Sequence, residues 1–203
     1  MGKILAIFVA FIICCMASGA AYTLYAMRDA MLTAKRDQTR NLVEVAHGVV
    51  QQAFDKEKSG ELSREAAQAL ARQQLSKLRY SQKEYFWIND MRPFMVMHPF
   101  KPELDGTDLS NNADPRGNKL FVAFAEVVKK DGAGYVDYMW PKPGVTEPVD
   151  KVSYVKGFEP WGWVIGSGIY IDDVNALFWS NARMSAGGTL FIAIFLVWVA
   201  FLM

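Results

Sequence analysis

Residues 150–170 read DKVSYVKGFEPWGWVIGSGIY. β-Branched and aromatic residues dominate 150–156 and 161–170, and Gly and Pro punctuate the space between, which predicts two β-strands joined by a turn. The first strand places Lys151 and Tyr154 among its valines, and the second runs through Gly166-Ser167-Gly168. Alternate residues of a strand share a face, so Val149, Lys151 and Ser153 point one way and Val152 and Tyr154 the other. A lysine in such a strand has two readings. Its stem can lie on an ordinary half-exposed sheet with the ammonium in water. Alternatively, aromatic side chains enclose it and it favours a compact anion, since carboxylate recognition needs one or two charge-assisted donors and an apolar wall.

The glycines do not make a dinucleotide fingerprint, which needs a third glycine and a helix opening at that point. They read instead as room on the strand where another group, the long helix or a neighbour, presses close. Ser167 lies in nothing resembling a nucleophile elbow.

The same strand texture recurs outward from this stretch. GYVDYMW at 134–140 is a third strand, YFWIND at 85–90 and FMVMHP at 94–99 are two more, and Met91-Arg92-Pro93 is the turn between that last pair. From Phe100 to Asn118 the chain is rich in Pro, Gly, Asp and Asn, the composition of a long surface loop. Asp105, Asp108 and Asp114 read there as turn-makers. The loop fails as a calcium site because Ala113 and Lys119 stand where a glycine and a bidentate glutamate are needed.

Helical patterning fills the rest. Leu42, Val45, Val49 and Phe54, with Ala46, Val50 and Ala53 beside them, mark one face of a long helix that runs to Lys58 and ends at Ser59-Gly60. Ser63 is the expected N-cap of a second helix reaching Tyr80, with Glu65 in its first turn. A third covers 118–130, with Leu120, Phe121, Phe124, Val127 and Val128 inward, and a last one starts at Asp172-Asp173. The order is α+β: five strands in an antiparallel sheet on a long N-terminal helix.

The 203 residues carry a net charge of +1 and no basic stripe, which excludes a nucleic-acid binder. Residues 4–27 and 184–203 hold no charged side chain, and each is long enough to cross a hydrocarbon core as a helix. Tyr22 and Tyr25 sit near one end of the first, at headgroup depth. Small residues at 17–20 also suit a cleaved signal peptide, but the apolar run continues past them, and an uncleaved anchor is the expectation. The domains are therefore read as a membrane helix at 1–27, a soluble domain at 28–183 and a second membrane helix at 184–203. Cys14 and Cys15 both lie in the first run, so the intervening domain has no disulfide or thiolate metal site. His47 reads as a packing residue, and two distant histidines do not make a zinc site. No cofactor and no catalytic constellation is expected.

Trp87, His98, Tyr135, Tyr138, Trp140, Lys151, Tyr154 and Tyr170 all fall in strands or at their ends. YFWIND, the His98-Pro99 step, Leu104-Asp105-Gly106, Asp114-Pro115-x-Gly117, GYVDYMWP, KVSYVK and WGWVIGSGIYIDDV form one ordered series. That series resembles the single Cache (sCache, Cache type 2) sensor domain of bacterial methyl-accepting chemotaxis proteins, over about residues 27–183. The resemblance implies a PAS-like five-stranded antiparallel sheet on a long helix, in the periplasm, flanked by two transmembrane helices in the bacterial inner membrane. It implies a homodimer and a small organic acid ligand such as acetate, propionate, pyruvate or lactate. It places Trp87, His98, Tyr138, Trp140, Lys151 and Tyr154 around the ligand, with Arg116 as a second cation. In chemoreceptors of this kind a HAMP segment and a cytoplasmic signalling domain follow the second membrane helix. The chain stops at Met203 without them, which reads as a fragment or as an anchored sensor without its own output. The same input domain serves histidine kinases and cyclic-dinucleotide enzymes. A membrane-tethered interaction module without a ligand is the reading from another class, and Lys151 bathed in solvent would favour it.

Overall fold

The computed structural model describes residues 2–81 and 84–202. Its elements are α1 (Gly2–Lys58), α2 (Arg64–Lys77), β1 (Arg79–Tyr80), β2 (Glu84–Asp90), β3 (Met95–Met97), α3 (Leu120–Asp131), β4 (Ala133–Pro141), β5 (Pro148–Phe158), β6 (Trp163–Tyr170) and α4 (Ile171–Leu202). Residues 35–172 form one compact unit, and residues 1–34 with 173–203 form another.

In the first unit the strands run β1-β2-β6-β5-β4, every pairing antiparallel, and β3 pairs with β2. The five expected strands are all present, but the sheet has six. The helix expected to reach Tyr80 stops at Lys77 because Leu78 turns extended, at φ −68° and ψ 131°. Arg79 Nη1 then donates to the carbonyls of Ser76 and Leu78, both at 2.7 Å, satisfying groups that a continued helix would have used. That frees Arg79 and Tyr80 to pair with Tyr85 and Glu84 as β1. At the other end of α2, Ser63 Oγ accepts from Ala66 N at 3.2 Å, the expected N-cap.

The sheet separates two cores. On one face α1 and α2 lay down Val43, Ala46, Val50 and Ala53 with Ala67, Ala71 and Leu75, against Phe86, Ile88, Phe158, Trp163 and Ile165. The buried seam of α1 repeats at three and four residues, as a helix face must. It is centred one step from the expected one: Val45, expected inward, is 64% exposed. On the other face α3 covers β2, β4 and β5 with Leu120, Phe121, Phe124 and Val128. Gly132, left-handed at φ 75°, terminates α3 and its N–H returns to Val128 O.

The loop between β3 and α3 is shaped by its aspartates, as expected. Asp105 Oδ1 accepts from His98 N, and Asp108 Oδ1 from Ser110 N. Asp114 accepts from the backbone N–H groups of Arg116 and Asn118 and, across to β4, from Met139. His47 packs on the Phe158 ring and faces Gly157 O at 3.2 Å.

In the second unit, α1 is long and apolar enough, by length and composition, to cross a membrane from Ile7 onward. The run expected as a second span is helical within α4 as far as Leu202. Several of its side chains, and Met203, lie outside the described residues.

Candidate ligand-binding site

Strand register assembles the site. Lys151 on β5 stands opposite Tyr138 on β4 and opposite Tyr170 on β6. Residues opposite one another share a face, so these three side chains gather on the α3 side of the sheet. Two residues along β6, Gly168 opposes Ser153, and two further on Gly166 opposes Trp87 of β2. A Cβ on Gly166 would lie 2.3 Å from the Trp87 indole, and one on Gly168 only 2.0 Å from Ser153 Oγ and 3.0 Å from Lys151 Cε. The glycines do make room on the strand, but for the tryptophan, the serine and the lysine of the site. The contacts anticipated from the long helix or a neighbour are not what they accommodate.

Lys151 is 1% exposed. Its Nζ donates to Tyr85 Oη and Tyr170 Oη, both at 3.3 Å. It lies 4.3 Å from the Tyr85 ring centre, 4.4 Å from that of Tyr170 and 5.7 Å from that of Trp87. These are cation–π distances. Among the described residues, no carboxylate lies within 4.0 Å of this ammonium. Within contact distance the ammonium meets phenols and ring faces, and a carboxylate brought against it would complete an ion pair.

Next to the lysine is a small cavity lined by Tyr85, Trp87, His98, Leu120, Phe121, Phe124, Tyr138 and Trp140. The centres of water-sized spheres can occupy ≈ 10 Å³ of it, room for about one water. The apolar wall is α3, and the polar tips come from the sheet.

His98 supplies a directed donor. Its Nδ1 accepts the backbone N–H groups of Phe100 at 3.2 Å and Lys101 at 3.0 Å. A nitrogen that accepts cannot carry the proton, so the neutral ring is protonated at Nε2. Burial, with Lys151 and Lys101 adding to it, lowers the His98 pKa to about 3, so the ring is neutral at physiological pH. The Tyr85 hydroxyl accepts from Lys151 and retains its own proton to donate. Tyr170 spends its proton on Pro141 O at 3.0 Å. Tyr138 pairs with Ser153 Oγ at 2.9 Å, and burial raises its pKa well above the usual phenol value. Trp87 Nε1 donates to Asn89 Oδ1 at 3.2 Å.

Of the seven expected site residues, Trp87, His98, Tyr138 and Trp140 line the cavity, and Lys151 stands against its Tyr85 and Trp87 walls. Two are elsewhere. Tyr154 has the opposite strand parity and packs in the α1 core, its ring 4.9 Å from that of Tyr135. Arg116 is 57% exposed and bonds Asp150 at 2.6 Å, a surface ion pair instead of a cavity cation. Tyr85 was missed as a site residue, although alternation puts it on the same face as Trp87. Leu120, Phe121 and Phe124 read as inward-facing from the helix period, which says nothing of what they cover.

A sheet carrying a polar-tipped cavity under one helix and resting on a long helix has the layout of a domain that encloses a small ligand. The chain belongs to the family Single Cache domain 2, whose description it matches over residues 31–184. It resembles the methyl-accepting chemotaxis protein McpP of Pseudomonas putida, at 49% identity over 150 residues, which are 74% of this chain and 28% of that one. It also resembles the sensor histidine kinase MctS of Rhizobium johnstonii, at 32% identity over 77% of this chain and 32% of the relative. The chain thus spans about a third or less of these curated relatives. Among solved structures, a periplasmic sensor domain of a chemotaxis protein superposes with TM-score 0.69 at 50% identity, over 70% of this chain and 98% of that one. A Cache chemosensory domain solved for carboxylic acid recognition matches with TM-score 0.68 at 48% identity, over 70% and 97%.

Proposed function

We propose that this chain is the input region of a chemoreceptor, anchored in the bacterial inner membrane, which binds a small carboxylate in the periplasm and signals through its second membrane helix. The observation that carries this reading is the buried Lys151 ammonium, held by two phenols and no carboxylate among the described residues. A ligand carboxylate would supply the missing charge. Lys151, the Nε2–H of His98 and the Tyr85 hydroxyl are its donors, and Trp87, Trp140, Tyr138 and α3 enclose the remainder. The cavity as it stands holds about one water, so an acid of two or three carbons such as acetate, propionate, pyruvate or lactate would have to part its walls on entering. The burial of Lys151 argues against a tethered module without a ligand, which a solvated lysine would have favoured.

The domain boundaries proposed are a membrane helix at 1–27, the sensor domain at 28–183 and a second membrane helix at 184–203. Two copies would pack along α1, whose exposed Val45 suits such a contact. Signalling requires that the ligand bind two arrangements of the dimer with different affinity. The likeness to a sensor histidine kinase supports a second reading of the output, in which the same input controls a kinase.

Calorimetric titration of the full chain in nanodiscs with the four acids tests the ligand assignment. Binding of at least one of them is expected. A folded chain that binds none overturns it.

A further inference from the structure

Tyr85 is held from both sides of the sheet. Its hydroxyl meets Lys151 in the site, while its backbone carbonyl accepts a hydrogen bond from Ser167 Oγ at 2.6 Å on the α1 side. Ser167 is fully buried, and its Oγ lies 2.7 Å from the Tyr80 hydroxyl. Ser167 has given its only proton to the carbonyl, so Tyr80 is the donor in that pair. Tyr80 in turn packs against the core that α1 builds with Val43 and Ala46.

These hydrogen bonds run from the Lys151 ammonium through Tyr85 and Ser167 to Tyr80, which packs on the α1 core. The line crosses the sheet at the backbone of Tyr85, and all of it lies within residues 35–172. Tyr80 sits on β1, which pairs with the strand carrying Tyr85, so a shift of Tyr85 along β2 is felt at both ends of the line. Aliphatic side chains at Tyr80 and Ser167 would fill the core as well, but they could not register where the carbonyl sits.

Resting on the carboxylate reading above, we infer that Tyr80 and Ser167 are positioning residues that couple occupancy of the Lys151 site to α1. An acid that draws Lys151 and the Tyr85 hydroxyl toward itself moves the Tyr85 backbone. Ser167 and Tyr80 pass that displacement to the α1 core against which Tyr80 packs. Contiguity alone does not establish coupling, so the test must read coupling itself.

The test compares the unsubstituted full chain in nanodiscs with Ser167→Ala, Tyr80→Phe and a control, Tyr154→Phe, which stands opposite Ser167 on the same face but whose hydroxyl is not a link of the line. Affinity for acetate, propionate, pyruvate and L-lactate is measured by calorimetry, and amide hydrogen exchange of residues 36–46 is measured with and without saturating acid. In Ser167→Ala and Tyr80→Phe the affinity should stay within about twofold. The acid-induced change in exchange should fall about fivefold or more, the scale of a typical coupling. The control should retain it. An acid-induced change that survives in Tyr80→Phe, which keeps the ring on Phe86 and so preserves packing, overturns the inference whatever happens to thermal stability. Absence of binding in the unsubstituted chain overturns the carboxylate reading and this one together, whereas binding with undiminished coupling in the variants overturns this one alone.

Discussion

The two faces of the sheet bury comparable sets of side chains and do different work. The α1 face is closed by small and aliphatic residues, Val43, Ala46, Val50, Ala53, Ala67 and Ala71, against aromatic rings. Salt bridges and side-chain bonds fasten its margin, among them Arg36–Asp137, Lys156 to Glu44, and Trp161 Nε1 to Glu57 at 2.6 Å. The α3 face concentrates polar-tipped aromatics around one buried ammonium. A core optimised only for stability would exchange that lysine for a hydrophobe, since a buried charge costs more than packing returns. On the proposed reading, the α3 face is the one that meets a ligand, and the α1 face is the one that holds the helix.

The largest expected effect breaks this contrast at its centre. Lys151→Met removes the charge and keeps the volume. Binding of the acid should weaken by at least about 2 kcal/mol, roughly 30-fold, in calorimetry. Chemical denaturation should show stability unchanged or increased. A smaller effect on binding would remove Lys151 from the site.

Gly166→Ala follows. The added methyl meets the Trp87 indole at 2.3 Å, and a ring packed under α3 cannot yield freely. A loss of about 1–3 kcal/mol in denaturation, with weaker acid binding, is expected. Gly48→Ala on α1 is the opposite case. Its Cβ would meet nothing within 4 Å, and in a helix the change should stabilise by about 0.4–1 kcal/mol.

His98 separates the faces by pH. Its folded pKa of about 3 lies below the ordinary 6.5, so the unfolded chain takes up the proton first as pH falls. Stability from this group is complete above about pH 6.5 and is lost as pH drops toward 3, at up to about 1.4 kcal/mol per pH unit. His47, also lowered mainly by burial, adds in the same direction. Denaturation at about pH 7 and about pH 5 should show the loss, and His98→Asn should flatten it. Equal slopes in the two proteins would contradict the buried neutral imidazole.

The smallest effects are expected at the two residues that the family resemblance placed around the ligand and the fold places elsewhere. Arg116→Gln breaks an exposed ion pair worth about 0–1 kcal/mol, and Tyr154→Phe alters a ring on the far face. Acid affinity in both should match the unsubstituted chain. A large loss in either would return that residue to the site.

The strands were legible because β-branched and aromatic runs bounded by Gly and Pro leave few alternatives. β1 was not, because two residues following a helix carry no periodicity of their own. Within the site, parity already separated Lys151 from Tyr154, and the residues implied by family resemblance overrode that signal. The same parity would have added Tyr85 to Trp87. That α3 covers a cavity was not legible. Its inward face is an ordinary helical stripe, and only the tertiary fold decides whether such a stripe meets packed atoms or a gap. The role of the β6 glycines needed the register, since it is the pairing of Gly166 with Trp87 and of Gly168 with Ser153 that shows what they make room for.

The central claim is that Lys151 is buried to meet a carboxylate, and isosteric ligands test it most directly. Propionate and propionamide have nearly the same shape and differ in charge. Titrating each into the full chain by calorimetry should give binding of the acid and none of the amide, with the acid lost in Lys151→Met. Equal binding of acid and amide, or acid binding that survives Lys151→Met, would contradict the claim.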